Sequence, residues 1–196
     1  MKTFRAFGPT LGKAKLSKNL TKIINNFIDN TTISKNNDYS SKLASQIKDE
    51  IKLSTVFVEK HLSRELIKNI KEYLKKSGVD KIKDVKLINV WVVKQFKNEY
   101  NPIHYHDGQI SGVGYLKIPK NMNLNKTLKN KKIKTNGTID FINGQKNFLS
   151  KSIYNLNPKV GDLLIFPNYL MHSAYPFNVD GERRSFSFNA VILLKK

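Results

Sequence analysis

The sequence predicts a mainly β domain with helices ahead of it, and three observations carry that reading. From residue 85 onward, short runs rich in β-branched and aromatic residues alternate with turn signals. Before residue 85, apolar residues recur at helical spacing. The hydrophobic content of 39% suits a packed chain, and no apolar run approaches the ~20 residues of a membrane span. We therefore expect one domain over residues 1–196, with a largely helical layer over 1–84 and a β sandwich or barrel over 85–196.

The elements follow in order. Ser17 is placed to cap a helix carrying Leu20, Ile23, Ile24 and Phe27. Leu43, Ile47 and Ile51 predict a second helix opening near Ser40 or Ser41. Ser63, Leu66, Ile67, Ile70 and Leu74 predict a third, stopped by Gly78. Strands are expected over 85–97, 110–118, 138–142, 162–166 and 184–194. Turn signals separate them: Asn101-Pro102, Asn136-Gly137, Asn143-Gly144, Pro158 to Gly161, and Asp180-Gly181. The basic, aperiodic stretch from Lys117 to Lys134 reads as a long loop, a candidate lid or binding loop.

Composition narrows the chemistry. The chain has no cysteine, which removes disulfides, thiolate metal sites and a cysteine nucleophile. A metal would have to rest on histidine and carboxylate. The opening MKTFRAFGPTLGKAKL has no secretory apolar core, so neither a signal peptide nor a membrane partner is expected, and the location is read as cytoplasmic. The net charge of +20 comes from lysines spread along the whole length. That spread reads as composition bias more than as the clustered footprint of a nucleic-acid binder. A phosphate-cradling Gly-rich loop and a GxSxG elbow are both missing from the sequence.

Scarcity makes two residue types informative. Histidine occurs only at His61, His104, His106 and His172, and arginine only at Arg5, Arg64, Arg183 and Arg184. His61 reads as an exposed residue of a helix. His104 and His106 stand two apart, so on an extended segment they point the same way. A third ligand from a distant strand, His172, would close one triangular face of a metal and leave open positions for co-substrate and dioxygen. Arg183, Ser185, Ser187 and Asn189 alternate with Arg184, Phe186 and Phe188. The first set shares one face, read as the barrel interior, and Arg184 is expected to point outward. A polar inward face is costly unless it binds something polar.

These pieces form an ordered set: His104-Tyr105-His106, then Ser111-Gly112 with Tyr115-Leu116, then Gly161-Asp162-Leu163-Leu164-Ile165-Phe166-Pro167, then His172, then Gly181-Glu182-Arg183-Arg184-Ser185. The set resembles the 2-oxoglutarate/Fe(II)-dependent dioxygenases, most of all the prolyl-4-hydroxylase-like oxygenases of bacteria and phages. The resemblance covers roughly residues 85–194. It implies a double-stranded β-helix, the jelly-roll or cupin-like barrel. It also implies Fe(II), with 2-oxoglutarate and dioxygen as co-substrates. His172 would be the distal iron ligand, and Arg183 and Tyr115 would hold the far carboxylate of 2-oxoglutarate. Ser185 or Ser187 would assist, and Asn189 would face the same cavity. The implied reaction is oxidative decarboxylation of 2-oxoglutarate to succinate, coupled to hydroxylation of a peptide side chain such as proline, a small molecule or a nucleic acid.

One position departs from the family, which carries His, any residue, then Asp or Glu. Here the acid position holds His106, and Asp107 comes one residue late. Three arrangements stay open: His104 and His106 both ligate; His106 ligates with Asp107; or His106 ligates alone, with Gly108 at the acid position and solvent completing the site. Two other functions also stay open. One is a cupin-like three-histidine iron dioxygenase without 2-oxoglutarate. The other is a basic barrel that binds nucleic acid through Trp91 and nearby tyrosines.

Overall fold

The computed structural model describes residues 1–5, 8–122, 135–149 and 151–195. The strands are β1 (Lys2–Arg5), β2 (Thr10–Lys15), β3 (Asp49–Lys52), β4 (Ile82–Gln95), β5 (Asn101–His104), β6 (Ile110–Lys117), β7 (Ile139–Ile142), β8 (Ile153–Leu156), β9 (Asp162–Pro167), β10 (Met171–Ala174) and β11 (Arg183–Leu194). The helices are α1 (Lys18–Asp29), α2 (Thr55–His61) and α3 (Ser63–Lys76), with a 3₁₀ turn at Ser40–Lys42. One sheet runs β1-β2-β9-β6-β11-β4-β3 and the other β5-β10-β7-β8, and the neighbouring strands are antiparallel.

Strand alternation sorts the large sheet into two faces. Val90, Val92, Leu163, Ile165, Phe186 and Phe188 pack with Leu20, Ile24, Leu66 and Ile70 of α1 and α3. Val113, Tyr115, Leu164 and Phe166 turn the other way and meet Ile139, Phe141 and Leu156 of the small sheet. Residues 90–93 of β4 are covered on both faces, which is why they read Val-Trp-Val-Val without a polar break. The glycines of β6 serve the same packing. A Cβ on Gly112 would lie 2.3 Å from the Phe188 ring, and one on Gly114 would lie 2.3 Å from the Phe186 ring.

The expected strands and the first and third helices are present, and Ser17 Oγ accepts from the Leu20 amide as the cap of α1. The helix expected through Leu43, Ile47 and Ile51 is not. Ile51 belongs to β3, opposite Val92, and Ile47 packs with Trp91 and Val93. Their four-residue spacing mimics a helix, but the open edge of β4 offers backbone partners that a local pattern cannot anticipate. Residues 1–84 are likewise not simply a helical layer, since β1, β2 and β3 extend the large sheet. The short strands β5, β8 and β10 and helix α2 carried no distinct signal. Most of the loop expected over 117–134 falls on 123–134, outside the described residues.

Arg184 points away from the barrel interior as expected, yet it is not exposed. Its guanidinium donates to Glu182 at 2.6 Å and to Asp29 of α1 at 2.7 Å, fastening the helical layer to β11.

Candidate active site

β5 and β10 pair with His104 directly opposite His172. β5 is an edge strand, which is why Pro102 can sit inside it. Beyond β5 the chain is held by Asn168: the His106 amide donates to the Asn168 carbonyl at 3.1 Å, and Asn168 Nδ2 donates to the His106 carbonyl at 2.9 Å. The turn then closes through Gly108, at φ +86°, where a Cβ would lie 2.8 Å from the Ala190 carbonyl oxygen. These constraints aim the three imidazoles at one point. Their ligand nitrogens all lie within 4.8 Å of one another, and His106 Nε2 is 3.2 Å from His172 Nε2.

The ring environments suit ligation. His104 Nδ1 lies 2.7 Å from the Pro102 carbonyl oxygen and His172 Nδ1 lies 2.9 Å from that of Leu170. A proton on each Nδ1 makes that bond and leaves the Nε2 lone pair free for a cation. His172 stands edge-on to Phe166, and His106 tilts over Trp91. Burial lowers the pKa of all three histidines, that of His106 to about 3, so they are neutral at physiological pH.

The same cavity, about 250 Å³, is lined by Tyr115, Arg183, Ser185, Ser187 and Asn189. Arg183 is 4% exposed. It donates to the Gly137 carbonyl at 2.8 Å and to the Gln95 side-chain oxygen. Both partners are neutral, and no carboxylate among the described residues pairs with it. A buried guanidinium without a counter-charge is expensive, so a carboxylate-bearing ligand fits here. Burial raises the Tyr115 phenol to about 12, so it stays a neutral donor. Ser111 Oγ donates to Asn189 Oδ1 at 3.0 Å. Three neutral imidazoles beside a lone guanidinium and a ring of hydroxyls form the donor set for a divalent metal chelated by a small dicarboxylate.

Comparison with known proteins gives the family. Residues 89–189, just over half the chain, match the family model described as "Putative 2OG-Fe(II) oxygenase". The chain belongs to the 2-oxoglutarate/Fe(II) oxygenases. Among solved structures it is similar to a viral collagen prolyl hydroxylase from Paramecium bursaria Chlorella virus-1 in complex with 2-oxoglutarate, with TM-score 0.61 and 18% identity over 95% of this chain and 98% of that one. A prolyl-4-hydroxylase from Pseudomonas putida gives TM-score 0.56 and 10% identity over 95% and 93% of the two chains. HygX from Streptomyces hygroscopicus, crystallised with nickel and 2-oxoglutarate, gives TM-score 0.56 and 11% identity over 95% and 83%. These likenesses establish the jelly-roll fold. No curated protein sequence matches the chain.

The oxygenase lines one cavity with every site residue singled out from the sequence, although Asp107 does not join the imidazoles. That side chain is exposed on the cavity rim, outside the three-histidine cluster. His61 is half-buried on α2 against Phe57, away from the cavity. Gln95, which holds Arg183, and Tyr39 and Glu50, which line the cavity, carried no sequence signal; Gly137 and Asn101 read only as turn residues, and Trp91, which packs on His106, was read only as a nucleic-acid contact. No helix among the described residues is long and apolar enough to cross a membrane.

Proposed function

We propose that this oxygenase is a hydroxylase in which His104, His106 and His172 hold Fe(II) through Nε2, and Arg183 with Tyr115 receives the far carboxylate of 2-oxoglutarate. The observation that carries this is the placement of three converging imidazoles and one buried, uncompensated guanidinium in a single cavity. Bound together, iron and 2-oxoglutarate supply dioxygen activation coupled to oxidative decarboxylation of the co-substrate to succinate. The chain's residues do the rest. Arg183, fixed by Gln95 and Gly137, orients the co-substrate by a charge-assisted contact. Ser185 and Ser187 offer further hydroxyls, and Asn189, engaged by Ser111, holds the cavity floor. Phe141, Phe166 and Trp91 exclude water around the imidazoles. The exposed position of Asp107 favours the all-histidine arrangement, which carries one negative charge fewer than a two-histidine, one-carboxylate face.

The prolyl hydroxylases among the similar structures make a peptidyl side chain, proline first, the leading substrate class, ahead of a small molecule or a nucleic acid. We place the protein in the cytoplasm. The test is succinate release from 2-oxoglutarate with prolyl peptides, alongside mass spectrometry for one added oxygen. Wild type should form succinate and Arg183→Ala should lose about tenfold or more in kcat/KM for 2-oxoglutarate, the scale of a lost charged hydrogen bond. Iron-dependent dioxygen uptake that ignores 2-oxoglutarate would instead favour the three-histidine dioxygenase reading.

A further inference from the structure

The outer part of the cavity carries two polar atoms that the oxygenase chemistry does not use. Glu50 of β3 is 1% exposed. Its Oε2 accepts from Ser45 Oγ at 2.6 Å, while its Oε1 is buried with no hydrogen-bond partner. Asn101, at the start of β5, leaves Oδ1 in the same condition. Both residues line the cavity, as do Tyr39 and Trp91, whose rings lie 5.7 Å apart. Buried acceptors without donors are rare because each forfeits its hydration. Two of them on one cavity wall ask for a ligand that donates hydrogen bonds.

The local field selects the sign of that ligand. The chain carries +20 overall, yet Glu50 feels the negative charges of Asp38 and Glu99, and Asp107 lies on the same rim. Two cations lie nearby, the exposed Lys42 on the cavity lining and Lys52, whose Nζ is 5.5 Å from the Tyr39 ring centroid, but neither bonds to Glu50. Burial and these acidic neighbours raise the Glu50 carboxyl to about 7, as expected of a carboxylate that lacks a cation beside it. The aromatic pair on the same wall is attractive to cations, as Lys52 over the Tyr39 ring already shows.

Building on the oxygenase reading, we propose that this wall is a substrate subsite for a cationic N–H donor, an ammonium or guanidinium group. Glu50 Oε1 and Asn101 Oδ1 accept its hydrogen bonds, and Trp91 and Tyr39 flank it. The substrate therefore carries a positive group that enters the same cavity as the imidazoles.

Trp91 is the only tryptophan in the sequence, so its fluorescence reports on this wall directly. Nα-acetyl-lysine amide, Nα-acetyl-arginine amide and spermidine would be titrated into the protein loaded anaerobically with Fe(II) and 2-oxoglutarate, with Nα-acetyl-norleucine amide as the neutral counterpart. The same titrations would be repeated on the metal-free protein. At least one cationic probe should change the emission saturably while the neutral one does not. Glu50→Gln should weaken that probe roughly tenfold to a hundredfold, the scale of a lost charged hydrogen bond. Silence from all three cations, an equal response to the neutral amide, or unchanged affinity in Glu50→Gln would overturn the proposal. The preference of wild type for cation over neutral analogue stands as a test even if Glu50→Gln folds poorly. If wild type forms no visible iron–2-oxoglutarate chelate, the oxygenase reading fails, and the metal-free titrations still decide the subsite.

Discussion

At the scale of single residues, Glu50 makes a sharp prediction about stability. Its carboxyl titrates at about 7 in the folded protein against an ordinary 4.5, because burial disfavours its charge. Between those two values the folded state holds a proton that the unfolded chain has released. Stability is therefore fully present below pH 4.5 and is lost as pH rises toward 7. Glu50→Gln has no proton to lose, so it should be more stable than wild type at pH 7 by about 1–3 kcal/mol and nearly equal to it at pH 4. Thermal melts of the two proteins across this range check the crossover, and a constant difference at all pH values would contradict it. The same residue marks where the sequence falls silent. His104, His106, His172 and Arg183 stand out because their types are scarce and their order is specific. Glu50, Gln95 and Asn101 are ordinary residues whose importance depends on long-range register, such as the pairing of Glu50 with Val93.

At the scale of elements, the glycine–phenylalanine contacts between β6 and β11 set how closely the helical layer approaches the sheet. A Cβ on Gly114 would meet Phe186 ring carbons at 2.3 and 2.5 Å and Leu16 Cδ1 at 3.0 Å, all of them side-chain atoms. Gly114→Ala should destabilise by about 1–3 kcal/mol through overpacking. Phe186→Leu alone should destabilise through lost volume. The double variant should be more stable than the sum of the two losses, and urea denaturation of all four proteins measures that coupling. Strict additivity would place the strain elsewhere. The strands that carry this packing were readable because each is long and rich in β-branched and aromatic residues. β5 and β10, four residues each, were not, although they bear His104 and His172. A segment that short declares itself only when it is rich in β-branched and aromatic residues, as β7 (IDFI) is and β5 (NPIH) and β10 (MHSA) are not. The false helix through Ile47 and Ile51 has the reverse cause, a local period overridden by an open sheet edge.

At the scale of the whole molecule, the jelly roll explains why residues so far apart in sequence form one site. The antiparallel return of β10 alongside β5 sets His172 opposite His104, 68 residues earlier in the chain. The long strand β11 crosses the middle of the large sheet, carrying Arg183 to Asn189 along the cavity floor and Phe186 and Phe188 to the helical layer. His104 and His172 thus belong to one sheet and Arg183 and Tyr115 to the other, and the two sheets face each other across one cavity. If that geometry is a co-substrate site, both sheets must contribute to one chelate. The direct measurement is anaerobic visible absorption of the protein with Fe(II) and 2-oxoglutarate, in wild type, His172→Ala and Arg183→Ala. A weak charge-transfer band in wild type, absent in His172→Ala and reduced in Arg183→Ala at the same ligand concentration, is the predicted result. Iron bound without such a band, or a band undiminished in His172→Ala, would contradict it.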